Sequence, residues 1–141
     1  MKHPHVSPNP GRNKRPRFMR DVTLVEDELV SQTVVECLLS DEGYKVDTAS
    51  DGFEALEKFS NKRFDVVLMD LRMPRMDGFE TTLQIRSMEA KDKDPVKIVA
   101  FTADVMKDTV QRCMSGGMDG VIAKPIDVEE VNRTLSDLFV A

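Results

Sequence analysis

The run Val66-Val67-Leu68-Met69-Asp70-Leu71-Arg72-Met73-Pro74 decides the fold. Residues 64–69 are nearly all apolar, as in a central strand of a parallel sheet covered on both faces. The strand ends on a carboxylate with a turn directly behind it. Asp70 is therefore delivered to the rim of the sheet, where a strand end can host chemistry.

Outward from this strand, short apolar runs alternate with helix-period segments five times from Asp21 onward. Strands are expected at 22–25, 44–49, 64–69, 96–101 and 120–123, and helices at 28–41, 51–61, 78–88, 105–115 and 128–139. In the first helix Leu29, Val30, Thr33, Val34, Cys37 and Leu38 fall on one face. Phe53, Leu56 and Phe59 are expected to face inward on the second helix. Phe79, Leu83 and Ile85 are the apolar residues of the third, and Val128, Val131, Leu135 and Leu138 line one side of the last. Gly43 and Gly116-Gly117 stop helices, and Asp127 suits an N-cap. Such alternation predicts an α/β fold with helices on both faces of a five-stranded parallel sheet. Right-handed crossovers leave few topologies, and the flavodoxin-like order 2-1-3-4-5 is the expectation, with ligands beyond the carboxyl ends of the strands.

The chain has 141 residues, 40% hydrophobic and 32% charged, which suits one globular domain. No apolar run approaches the ~20 residues that span a bilayer. Residues 1–20 lack the apolar core of a secretory signal, and Pro4, Pro8, Pro10 and Pro16 would break an amphipathic leader, so a cytoplasmic location is expected. The same twenty residues carry six basic side chains and no acid. The net charge of −5 thus leaves −11 on residues 21–141, a poor surface for nucleic acid. The expected organisation is a flexible basic tail over 1–20 and one domain over 21–141. Cys37 and Cys113 have no metal-ligand spacing and read as free buried thiols, and His3 and His5 lack further ligands.

Chemistry concentrates at the strand ends. Glu26-Asp27 follows strand one, Asp70 ends strand three, Thr102 ends strand four and Lys124 follows strand five. In the order 2-1-3-4-5 these groups converge on one crevice. Three gathered carboxylates repel and call for a cation. All-oxygen donors at an open rim suit Mg²⁺, with Mn²⁺ as an alternative, and Lys124 adds a second positive charge. Carboxylates, a hard cation, a lysine and a hydroxyl form a kit for phosphoryl transfer with Asp70 as nucleophile. Met69, Met73, Met76 and Phe101 read as packing residues.

The motifs LVED (24–27), LMDLRMPRMDG (68–78), FTA (101–103), GGMDG (116–120) and KPI (124–126) together resemble the receiver domain of two-component response regulators. The resemblance covers residues 21–140, and the DLRMPRMDG and KPI stretches are most similar to receivers associated with hybrid sensor histidine kinases. It implies Asp70 as phosphoacceptor, with a sensor histidine kinase or histidine phosphotransfer protein as phosphodonor. It implies Glu26, Asp27, Asp70 and the main-chain oxygen of Arg72 as metal ligands, Thr102 as the switch hydroxyl, Lys124 as the phosphate-pairing amine and a cis Lys124-Pro125 bond. A phosphorylation-dependent dimer through residues 105–139 is a further expectation, and the output partner is open. Such a domain is no enzyme on other molecules; it catalyses only its own phosphorylation and dephosphorylation. Val121 stands where many receivers have an aromatic residue that swings with the threonine, so relay through the 103–108 loop is the alternative. Arg72 and Asp104 are expected to overhang the crevice and pair across its mouth.

Two rival functions follow from the same residues. A haloacid-dehalogenase-type phosphatase also uses an aspartyl phosphate, but needs an acid two residues after the nucleophile, where Arg72 stands. The other rival is a phosphorylation-independent interaction module of the same fold. Both a free-standing regulator and a receiver belonging to a longer chain fit the sequence.

Overall fold

A computed structural model describes residues 20–89 and 94–139. The elements alternate as β1 (Asp21–Val25), α1 (Leu29–Asp41), β2 (Lys45–Ala49), α2 (Gly52–Asn61), β3 (Val66–Asp70), α3 (Gly78–Met88), β4 (Lys97–Thr102), α4 (Lys107–Ser115), β5 (Gly120–Ala123) and α5 (Val128–Leu138). All strand pairs are parallel and the order is β2-β1-β3-β4-β5, as expected. Boundaries differ from the expected ones by a residue or two, and Asp70 and Thr102 prove to be the last residues of their strands. Most of the basic tail lies outside the described residues. Arg20, grouped with it by charge, instead belongs to the fold: its guanidinium lies 4.1 Å from the Phe139 ring centroid and its carbonyl accepts the Lys45 N–H.

Strand periodicity divides the core into two layers. Val22, Leu24, Val66, Leu68, Val99 and Phe101 face α1 and α5, where they meet Val35, Leu39, Val131 and Leu135. Val25, Val67, Met69, Ile98 and Ala100 face α2, α3 and α4. Aspartates cap the starts of α2, α3 and α5: Asp51 accepts the Glu54 N–H, Asp77 the Glu80 N–H and Asp127 the Glu129 and Glu130 N–H groups. Gly43 leaves α1 at φ 98°, a left-handed conformation that suits glycine.

Helix faces are where periodicity misleads. The α1 stripe is the outward one: Leu29, Val30, Val34 and Leu38 are exposed, and so is Cys37. Gln32, Val35 and Leu39 are buried instead. The helix is apolar on both arcs, so spacing alone cannot choose between them, and Gln32 faces inward because its amide binds the Glu26 carbonyl at 3.0 Å. Phe53 is also exposed on α2 and Leu83 on α3, while Leu56 and Phe59 pack against the core as expected. Ala55, Thr81 and Thr82 take the buried positions; Thr81 stands against Gly52 where α2 and α3 approach closely, and Thr82 stands beside Gly117. A Cβ on Gly52 would stand 2.3 Å from Thr81 Oγ1.

Candidate functional site

Sheet register sets the site. Val25 is level with Met69, so Glu26 leaves β1 beside Asp70 at the end of β3. Asp70 is level with Phe101, which brings Thr102 one step further along β4, and Thr102 is level with Ala123, the residue before Lys124. Glu26, Asp27, Asp70, Arg72, Thr102 and Lys124 all line one open crevice of about 380 Å³. The structure thus brings together every residue singled out for the site.

Carboxylate oxygens of Glu26, Asp27 and Asp70 lie within 4.8 Å of one another. Glu26 and Asp70 are buried and Asp27 is exposed. This all-oxygen set with one solvent-facing member fits a hard divalent ion that keeps part of its water shell. Lys124 Nζ stands 2.8 Å from Glu26 Oε1 and 3.5 Å from Asp70 Oδ2, linking the two buried acids. The Arg72 N–H donates to Asp70 Oδ1 at 3.2 Å. The Lys124-Pro125 bond is cis.

Electrostatics follow from this crowding. Burial raises the Asp70 pKa first, and the hydrogen bond and negative charge of Glu26 add to it, reaching about 7 against the opposing effects of Lys124 and the Arg72 N–H. Burial pushes Glu26 upward too, but hydrogen bonds with Asp70, Lys124 and Ser31 outweigh it and hold Glu26 at about 2. Burial would lower Lys124, yet its bonds to the two acids raise it, so the amine stays charged. Burial and the Glu26 charge favour the neutral Asp70 carboxyl, and the Lys124 ammonium opposes them.

Two supporting residues were not singled out in the sequence. The Ser31 hydroxyl donates to Glu26 Oε1 at 2.7 Å, and Gln32 Nε2 donates to the Glu26 carbonyl and to Ser50 Oγ at 3.4 Å. Their signal was available: two polar residues interrupt an apolar helix five and six positions after the acid. Asp104 also differs from expectation. Among the described residues no ion pair joins it to Arg72; its carboxylate instead accepts the Thr109 hydroxyl and the Met106 N–H. These short bonds to Met106 and to Thr109 of α4 hold the carboxylate, and Arg72 adds only a smaller electrostatic pull.

A family model, "Response regulator receiver domain", matches residues 22–136. The chain is 39% identical over 119 residues to hybrid signal transduction histidine kinase B of Dictyostelium discoideum, covering 78% of this chain and 6% of that protein. It is 36% identical over 118 residues to sensor histidine kinase AruS of Pseudomonas aeruginosa, covering 84% of this chain and 12% of that one. The chain therefore spans only a small part of these relatives. Among solved structures, the receiver domain of another Pseudomonas aeruginosa sensor histidine kinase is 36% identical with a TM-score of 0.75, covering 85% of this chain and 97% of that one, and holds a magnesium ion in its active-site cleft.

Proposed function

The chain belongs to the response regulator receiver domain family, and on that premise we propose that Asp70 is the residue that accepts a phosphoryl group. A receiver domain is a signalling element of a phosphorelay, and the residues that would do its chemistry are those of the crevice. The carrying observation is the Lys124 amine held between the buried Glu26 and Asp70 carboxylates at the sheet rim.

An ionised Asp70 oxygen attacks the phosphorus of a phosphohistidine on the donor. The phosphorus–nitrogen bond breaks, its electron pair stays on the imidazole, and an acyl phosphate remains on Asp70. A bound Mg²⁺, or Mn²⁺, would neutralise oxygens of the transferring group. Glu26, Asp27, Asp70 and the main-chain oxygen of Arg72 would hold it. Lys124 pairs with a phosphoryl oxygen and Thr102 donates a hydrogen bond to another. The domain turns over only its own phosphoryl group, in the cytoplasm.

The donor, a histidine kinase or phosphotransfer protein, needs a surface beside the crevice. The outward apolar arc of α1 supplies one: an open groove of about 430 Å³ lined by Val30, Val34, Phe101, Pro125 and Ile126 shares Glu28, Ala103 and Lys124 with the crevice. A donor seated there presents its phosphohistidine to Asp70. The output face lies within residues 105–139, through which a phosphorylated copy changes its partners, a second copy included.

Intact-mass measurement tests the proposal. With acetyl phosphate and Mg²⁺ the wild type is expected to gain one phosphoryl group, labile to hydroxylamine and blocked by chelator, whereas Asp70→Asn gains none. A wild type that gains no mass under these conditions and takes up no beryllofluoride would mark the domain as a phosphorylation-independent interaction module.

A further inference from the structure

Thr102 ends β4 with its hydroxyl already engaged, because Oγ1 accepts the Asp104 N–H at 3.1 Å. Asp104 is bound in turn to the start of α4 through both carboxylate oxygens. Oδ1 accepts the Met106 N–H at 3.1 Å and Oδ2 accepts the Thr109 hydroxyl at 2.7 Å. A continuous chain of hydrogen bonds thus runs from the crevice to the first turn of a helix.

Cys113 is the single buried residue of α4, and the Arg112 guanidinium lies 3.8 Å from the Phe79 ring centroid at the surface of α3. A helix with few buried contacts moves at lower cost than one sunk in the core. Space for movement lies beside it. Thr102 and Asp104 stand on the wall between the crevice and a flanking cavity of about 550 Å³, whose other side is closed by Thr109 and Arg112 of α4.

We propose that Asp104 and Thr109 are positioning residues that relay the state of Asp70 to α4 through the Thr102 hydroxyl. The inference rests on Asp70 being the phosphoacceptor. A hydroxyl has one proton to donate and two lone pairs to accept with, so Thr102 donates to a phosphoryl oxygen while still accepting from the Asp104 N–H. Moving toward Asp70, Thr102 draws residue 104 with it, and the Asp104 carboxylate draws the first turn of α4. The ionised carboxylate makes these tether bonds charge-assisted, hence stronger than neutral ones. No aromatic lever is required. Val121, level with Ala100 on the neighbouring strand, is a stiff β-branched side chain packed against the core.

The test compares wild type, Thr109→Val and Thr109→Ser, each free and with Mg²⁺–beryllofluoride as the phosphoryl mimic. Fluorine NMR reads adduct formation, while backbone amide shifts and amide exchange read residues 102–115. All three chains are expected to form the adduct and to respond at Thr102. The response over 107–115 should persist in wild type and in Thr109→Ser and be lost in Thr109→Val. Asp104→Ala, which cuts the tether from its other end, should lose it as well. An α4 response of wild-type size in Thr109→Val or Asp104→Ala overturns the relay. A wild type that forms no adduct overturns the phosphoacceptor reading, and the relay with it.

Discussion

Asp70 sits under opposing demands. Burial and Glu26 favour its neutral form, whereas the proposed attack on phosphorus and the proposed metal binding would need its anion. In the metal-free chain its pKa is raised from 3.8 to about 7. A carboxyl raised on folding contributes stability that is fully present below its unfolded pKa and is lost as pH rises through the folded one. Glu26, lowered from 4.5 to about 2, works in the opposite direction, and its contribution is lost only as pH falls toward 2. Between about pH 5 and pH 8 the Asp70 effect therefore dominates this pair, and metal-free stability should fall by roughly 2–4 kcal/mol from this source. Thermal or urea unfolding across that range is the measurement. Asp70→Asn should flatten the fall, and millimolar Mg²⁺ should offset it by binding the folded state alone. A pH slope identical in wild type and Asp70→Asn would show that other groups set it.

At the scale of elements, the turn from β3 into α3 places Asp70 in the crevice. Gly78 opens α3 directly against that turn: a Cβ there would lie 2.3 Å from the Asp70 carbonyl and 2.9 Å from Leu71 Cα. Both obstacles are backbone, so no side chain can swing aside. Gly78→Ala should cost about 2–3 kcal/mol in unfolding experiments, in the range of overpacked cores. It should also weaken Mg²⁺ binding, because relief requires the Asp70 strand end to shift. A wild-type midpoint and Mg²⁺ affinity would contradict that close approach. The other end of α3 is fixed by Arg86, which donates to the carbonyls of Val96 at 2.7 Å and Gly117 at 2.9 Å and to Asp119 at 2.8 Å. One guanidinium thus ties α3 to the start of β4 and to the turn before β5.

At the scale of the whole molecule, the domain is two-sided. One layer anchors α1 and α5, the other α2, α3 and α4, and the crevice opens where the strands of both layers end. The apolar arc of α1 beside that opening is exposed, so a side chain on it can be changed with little effect on the core. Val34→Asp, at a side chain 50% exposed, should leave the unfolding midpoint within about 0.5 kcal/mol of wild type. The same change should slow phosphoryl transfer from a protein donor while sparing phosphorylation by acetyl phosphate. Equal slowing with both donors would place the defect in the chemistry rather than in docking. No helix among the described residues is long and apolar enough to cross a membrane.

What the sequence determined by itself was the alternation of elements, the strand order and the identity of the crevice residues. These follow from short-range rules: strand runs end where polar residues begin, and right-handed crossovers then leave little choice of where Glu26, Asp70, Thr102 and Lys124 meet. Tertiary structure alone decided which arc of α1 turned inward, because both arcs are apolar and the choice depends on Gln32 finding the Glu26 carbonyl. It decided that Asp104 binds α4 and not Arg72, a competition between distances that spacing does not encode. It also decided the partners of Arg86, which lie 31 and 33 residues away at Gly117 and Asp119. Periodicity reports what a segment prefers; only packing reports which of several acceptable partners it meets.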